Sequence, residues 1–270
     1  MTVEALSPHG FCAGVANALR RARELLRTER RVYCLHELVH NELVVADLRA
    51  QGMVFVEDLA DVPPGATVLF SAHGVSPAVR AAAAARNLRA VDATCPFVAR
   101  VHAAARAFAA KGLPVVVIGN PAHAEVRGIV GEVAGARVLN PSDPRAAEGL
   151  PPRFGLVSQT TMNADGVAAL AASLRARHAV ETMAEVCRAT QERQDAVKAF
   201  DGDALLVLGS ANSSNTKRLC EIARCRTFRA GTLAEVRALD FAGVRRLGVT
   251  SGASTPEEFF AAVIRELEER

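Results

Sequence analysis

The chain has 270 residues, half of them apolar and 23% charged, which excludes disordered, collagen-like and low-complexity architectures. Its length suits one large domain or two to three smaller ones. Lys and Arg total 32 against 29 Asp and Glu, with one Tyr and no Trp, so no basic, aromatic-bearing surface for nucleic acid is indicated. Met1–Gly10 lacks the basic start and apolar run of a signal peptide, and no stretch approaches the ~18 apolar residues of a membrane span. The expected location is the cytoplasm, with no membrane partner.

Taken in chain order, the elements repeat. After Cys12 comes a helical pattern, Val15–Leu26, then a β-branched run, Val32–Leu35, that reads as a buried parallel strand. A polar cluster, His40-Asn41, follows, and a later strand ends in Phe70-Ser71-Ala72-His73-Gly74. After Cys95 the same series is Val98–Ala110, Val115–Ile118, His123-Ala124-Glu125 and Val157-Ser158-Gln159-Thr160-Thr161. After Cys187 it is Ala189–Phe200, Leu205–Leu208, Ser213-Ser214-Asn215 and Thr250-Ser251-Gly252-Ala253-Ser254, closed by a helix over Pro256–Glu269.

The register supports a threefold repeat. Cys12 and Cys95 are 83 residues apart, and Cys95 and Cys187 are 92 apart. His40, His123 and Asn215 each lie 28 residues beyond a cysteine; Ser71, Ser158 and Ser251 lie 59, 63 and 64 beyond. Ser, Asn, His and Gly serve ordinarily as helix caps and turn formers. Six such clusters in register point instead to ligand sites beyond strand ends, where helix N-termini favour anions. The expected fold is α/β: three similar domains with mostly parallel sheets, 13–95, 96–186 and 187–270 plus 1–12, in a pseudo-threefold trefoil around a centre where the three cysteines meet.

Six cysteines in a reducing compartment are thiols or metal ligands rather than disulfides. No C-x-x-C pair exists, and Cys220 and Cys225 lack a matching pair, so no local zinc motif is present. Cys34 lies in a strand run and reads as a buried thiol; Cys220 and Cys225 receive no role. Three distant thiolates fit either a zinc site missing one ligand or an iron-sulfur cluster with one iron open. Glu125 is the one carboxylate inside the six polar clusters. By itself it would read as a first-turn glutamate favoured by the helix dipole.

The strings Gly10-Phe11-Cys12-Ala13-Gly14-Val15, Val39-His40-Asn41, Ser71-Ala72-His73-Gly74-Val75-Ser76, Asp92-Ala93-Thr94-Cys95-Pro96, Val101-His102, Gln159-Thr160-Thr161, Cys187 with Ala189-Thr190 and Arg193-Gln194, Asn212-Ser213-Ser214-Asn215 and Gly252-Ala253-Ser254 together resemble the 4-hydroxy-3-methylbut-2-enyl diphosphate reductase family. They run in order from about Ser7 to Pro256. The resemblance implies a 4Fe-4S cluster held by Cys12, Cys95 and Cys187, with the substrate hydroxyl on the fourth iron. It implies reductive dehydroxylation of the allylic diphosphate to isopentenyl and dimethylallyl diphosphate, with electrons from a ferredoxin or flavodoxin type donor. By the same resemblance His40, His73, Ser213, Ser214, Asn215 and Ser254 hold the diphosphate, Thr160 contacts the substrate hydroxyl, and Glu125 supplies protons with His123 beside it. The chain departs from the family at His9 and Asn17, where Arg is usual, and at Ala124, where Pro is usual. It also ends soon after the last helix, where relatives carry a tail that closes over the site. Two competing readings are a paralogue that keeps the cluster as a redox sensor or diphosphate binder, and a zinc hydrolase using the three cysteines.

Overall fold

A computed structural model describes residues 1–143 and 145–270. Three four-stranded sheets organise them, and every strand pairing is parallel. The elements of the first sheet are β2 (Val32–Leu35), β3 (Met53–Val56), β4 (Thr67–Phe70) and β5 (Arg89–Asp92), in the order β3-β2-β4-β5. Those of the second are β6 (Val115–Ile118), β7 (Arg137–Leu139), β8 (Arg153–Ser158) and β9 (Ala179–Met183), in the order β7-β6-β8-β9. The third uses β10 (Ala204–Leu208), β11 (Arg226–Ala230), β12 (Arg246–Ser251) and the first strand of the chain, β1 (Thr2–Ala5). Its order is β11-β10-β12-β1, so β1 stands where β5 and β9 stand in the other sheets. Each of these three strands leads within a few residues to a cysteine: Cys12, Cys95 or Cys187.

The sequence reading recovered the two central strands of each sheet. It passed over the outer ones because β1, β5, β7 and β11 are short, half-exposed and carry Arg or Glu on the outer face, which blurs the apolar signal.

The central strands are apolar over most of their length because helices cover both faces. In β6 and β8, Val115, Val117 and Val157 pack with Val101, Ala105 and Phe108 of α4 (Pro96–Ala110) and with Val126 and Ile129 of α5 (Ala124–Val130). Val116, Ile118 and Leu156 face Val167, Ala171 and Leu174 of α6 (Ala164–Arg175). The third sheet divides the same way. Leu205 and Val207 meet Val197 of α7 (Arg188–Ala199) and Leu219 of α8 (Ser214–Ile222), while Leu206 and Leu208 meet α9 (Leu233–Ala238) and α10 (Glu257–Glu268). The remaining helices are α1 (Ala13–Thr28), α2 (Glu42–Ala50) and α3 (Pro77–Ala85). Each fully buried Leu, Ile or Val contributes ~1.5–3 kcal/mol.

By compactness the chain forms two units: Met1–Ala16, Val39–Leu48 and Cys187–Arg270 in one, Asn17–Leu38 and Arg49–Val186 in the other. The first contains the third sheet, and the second contains the other two. No helix among the described residues is long and apolar enough to cross a membrane.

In the second unit, α4 lies directly on β8 at Gly155, where an added Cβ would stand 2.3 Å from the Phe108 ring. Gly155→Ala therefore overpacks the contact, and urea unfolding should show a loss of ~1–3 kcal/mol.

Candidate active site

In the second unit, β6 and β8 are neighbours in register, with Ile118 opposite Ser158, so the residues that follow them emerge side by side. Gln159 ties the two exits together: its Oε1 accepts the Asn120 N–H at 3.1 Å, and its Nε2 donates to Thr161 Oγ1 at 2.9 Å. Beyond Asn120 the chain turns into α5 with His123 as N-cap, the ring Nδ1 accepting the Glu125 N–H at 3.2 Å. A neutral His123 thus carries its proton on Nε2.

Glu125 is 1% exposed. Its Oε1 accepts the Thr160 N–H at 2.7 Å, and its Oε2 lies 3.1 Å from Thr160 Oγ1. Burial disfavours the carboxylate, and the two Thr160 bonds only partly offset that, so the pKa rises to about 7. His73 stands edge-on to His123 with ring centroids 5.5 Å apart, and its Nδ1 is 3.2 Å from Ser71 Oγ. Cys95 joins this turn through its N–H, which donates to the Ala72 carbonyl at 3.0 Å. The expected site residues His73, Cys95, His123, Glu125 and Thr160 are thus gathered at one end of the two sheets.

In the first unit, Ser213 caps α8: its Oγ accepts the Thr216 N–H at 3.3 Å, leaving its own proton to donate outward. Ser214 and Asn215 form the first turn. Asn215 is 4% exposed, and both its amide nitrogen and oxygen are buried without a hydrogen-bond partner. Leaving such a group unsatisfied costs ~1–3 kcal/mol, a cost that a polar ligand or a water would remove. The Ser254 hydroxyl donates to the His40 carbonyl at 2.9 Å, so it must rotate before it can donate to an anion. Gly252 lets α8 approach β12, since a Cβ there would stand 2.3 Å from Thr216 Oγ1.

The candidate metal ligands share a local setting. Cys95 and Cys187 are the N-caps of α4 and α7, and neither sulfur caps the backbone. The Cys12 carbonyl accepts the Ala16 N–H at the start of α1. Each of the three cysteines therefore stands at a helix N-terminus, and all three are partly exposed. Thr190 Oγ1 lies 3.0 Å from Cys187 Sγ, within hydrogen-bonding distance. This soft, partly exposed donor set fits an iron-sulfur cluster. Among the described residues no group of three His, Cys, Asp or Glu side chains that could hold a metal ion is found. Cys34, by contrast, is fully buried in β2, and burial pushes its thiol pKa up steeply; burial also raises those of Cys220 and Cys225.

At the departures from the family strings, His9 stacks on Phe260 with centroids 4.0 Å apart and its Nδ1 is 3.0 Å from Glu257. Asn17 accepts from Arg20 at 2.8 Å. Ala124 is the first residue of α5.

Sequence reasoning quoted Arg193 and His102 within strings but gave them no task. His102 Nδ1 pairs with Glu132 at 2.7 Å, both groups buried, and so ties α4 to the end of α5. Arg193 donates to Gly10 in the Cys12 loop. Both partners are remote in sequence, and neither contact has a local signature.

The family model described as LytB protein matches residues 3–268. The 4-hydroxy-3-methylbut-2-enyl diphosphate reductase of Ralstonia nicotianae is 43% identical, over 96% of this chain and 84% of that protein. Among solved structures, the E-1-hydroxy-2-methyl-but-2-enyl-4-diphosphate reductase of Plasmodium falciparum superposes with a TM-score of 0.92 at 31% identity, covering 98% of this chain and 87% of that one. A second, titled (E)-4-hydroxy-3-methyl-but-2-enyl diphosphate reductase, the terminal enzyme of the non-mevalonate pathway, gives 0.70 at 30% identity and full coverage of both chains.

Two stability experiments follow from α5. The unfolded pKa of Glu125 is near 4.5 and the folded one near 7, so the folded state binds the proton more tightly and stability from this group is lost as pH rises between those values. Glu125→Gln removes that loss. Relative to wild type, the variant should gain up to ~3 kcal/mol between pH 4 and pH 8 in urea unfolding of the metal-free protein; an unchanged difference would refute the raised pKa. Ala124→Pro restores the usual family residue at a helix N1 position, and His123 already has the extended backbone (φ −76°, ψ 137°) that a following proline requires. The melting temperature should rise, by the equivalent of ~0.4–1 kcal/mol.

Proposed function

Because the chain belongs to the LytB family of 4-hydroxy-3-methylbut-2-enyl diphosphate reductases, we propose that it reductively dehydroxylates 4-hydroxy-3-methylbut-2-enyl diphosphate to isopentenyl and dimethylallyl diphosphate, at a 4Fe-4S cluster held by Cys12, Cys95 and Cys187. The observation that carries the reading is the Glu125 carboxyl, buried against Thr160 with its pKa raised to about 7. A redox sensor or diphosphate binder needs no such acid. The three domains are taken as 13–95, 96–186 and 187–270 plus 1–12 in a trefoil, the location as the cytoplasm, and the electron source as a ferredoxin or flavodoxin type donor.

The net reaction takes two electrons and two protons and releases water. When bound, the cluster supplies electrons and a Lewis-acidic iron for the substrate oxygen. The protein's own residues do the rest. His40, His73, Ser213, Ser214, Asn215 and Ser254 bind the diphosphate through neutral or charge-assisted hydrogen bonds and the α8 N-terminus, so no basic patch is needed. Thr160 Oγ1 receives a hydrogen bond from protonated Glu125 Oε2 and donates its own proton toward the substrate hydroxyl, which makes Thr160 the relay between the acid and the leaving oxygen. Burial raises the Glu125 pKa to about 7, which places a protonated carboxyl within reach near neutral pH. His123 holds the first turn of α5 through Nδ1 and presents Nε2–H to the same region.

The test is oxidation of a reduced dye by the hydroxylated diphosphate in anaerobically reconstituted protein. Glu125→Gln should lower kcat ~10²- to 10⁴-fold with iron content unchanged, and wild-type kcat should fall as pH rises through about 7. Cys12→Ser, Cys95→Ser and Cys187→Ser should each lose most of the iron, whereas the same change at Cys34, Cys220 or Cys225 should retain it. A wild-type rate no faster than that of Glu125→Gln would end the reading.

A further inference from the structure

Arg193 lies on α7, six residues beyond Cys187, and is 2% exposed. Its Nη1 donates to the Ala189 carbonyl at 2.8 Å, within the first turn of its own helix. Its Nη2 leaves the helix and donates to the Gly10 carbonyl at 2.7 Å, with the His9 carbonyl at 3.4 Å. Gly10 lies two residues before Cys12, so one planar group joins the Cys12 loop to the helix headed by Cys187. The Nε is buried and has no partner.

A guanidinium out of water ordinarily requires a counter-charge. Among the described residues no carboxylate forms an ion pair with it. The neighbouring Glu192 is directed to Arg188 at 2.7 Å and is 45% exposed. Burial pulls the Arg193 pKa down, and the charges that oppose this are, first, those of Cys12 and Cys187 and then that of Glu192. The fork satisfies carbonyls, which are neutral, so the charge itself is answered first by the two sulfurs and then by the half-exposed Glu192.

We infer that Arg193 is a positioning residue and the buried counter-ion of the Cys12 and Cys187 thiolates, and through them of the cluster they hold in the proposed function, on which this inference rests. Two consequences separate. The fork fixes the Cys12 loop on α7 and thereby slows loss of metal. The positive charge stabilises the more negative, reduced state and holds the reduction potential up. Lysine keeps the charge but, with a single ammonium, does not reproduce the planar bridge between the two carbonyls.

The experiment compares wild type, Arg193→Gln and Arg193→Lys after anaerobic reconstitution. It reads iron per chain, the rate of iron loss to a chelator, the midpoint potential in a titration followed by electron paramagnetic resonance, and the melting of the metal-free proteins. Arg193→Gln should show a midpoint shifted to more negative potential and severalfold faster iron loss. Arg193→Lys should lose iron faster with a midpoint near that of wild type. A wild-type midpoint in Arg193→Gln, or a midpoint in Arg193→Lys displaced as far as that of Arg193→Gln, overturns the counter-ion role. Should Arg193→Gln fail to fold, Arg193→Lys decides alone: any marked negative displacement of its midpoint overturns the role. Wild-type protein that takes up no iron fails earlier and removes the proposed function itself.

Discussion

The carboxyl of Glu125 is shut away from water, and its meeting with Thr160 is the contact on which the chemistry of the second unit depends. A carboxylate in that position without donors would hold its proton well beyond neutrality; with strong, multiple donors it would release it readily. One amide and one hydroxyl leave it between the two. That balance is set by the strands. Because β6 and β8 run parallel and in register, the turn after Ile118 and the turn after Ser158 leave the sheet together, and the Gln159 side chain holds them at hydrogen-bonding distance. The unbroken apolar run Val115–Ile118 is therefore also what positions an acid seven residues later.

Polar residues at the strand ends perform two tasks at once. His123 and Ser213 are helix caps, which is the ordinary reason for such residues to be there. Yet each cap uses only one side of its group: Nδ1 of His123 accepts the Glu125 N–H, and the Ser213 oxygen accepts while its hydrogen remains. Capping thus freezes the rotamer that a ligand would otherwise have to order. Asn215 is the opposite case. It caps nothing and its buried amide is unsatisfied, so the folded chain bears a local cost that only a bound polar group removes.

How much of this was legible in the sequence follows from how far apart the partners lie. Central strands and the helices after Cys12, Cys95 and Cys187 were visible because burial on both faces leaves an unbroken apolar run and amphipathic helices leave a periodic one. The observed α1, α4 and α7 start within a residue of their cysteines, one or two residues ahead of the apolar pattern. The edge strands were hidden by their exposed faces. Within the site, Glu125 and Thr160 were found as members of recurring clusters, but their mutual contact, 35 residues apart, was not, and nothing near Arg193 in the sequence announces that its hydrogen bonds end on Gly10. Spacing reports which side chains share an element; only the folded chain reports which elements share an atom-to-atom contact.

The pairing of β1 with β12 has a consequence for the history of the molecule as well as its architecture. Thr2 lies beside Arg246, so β1 has its neighbour made more than two hundred residues later. For most of synthesis β1 can only wait, and the entropy of closing so long a segment must be met before that pairing contributes anything. The loop bearing Cys12 follows β1 directly, so this thiol reaches its native surroundings late. Until β12 has been made, the segment carrying this cysteine therefore has no sheet to dock on.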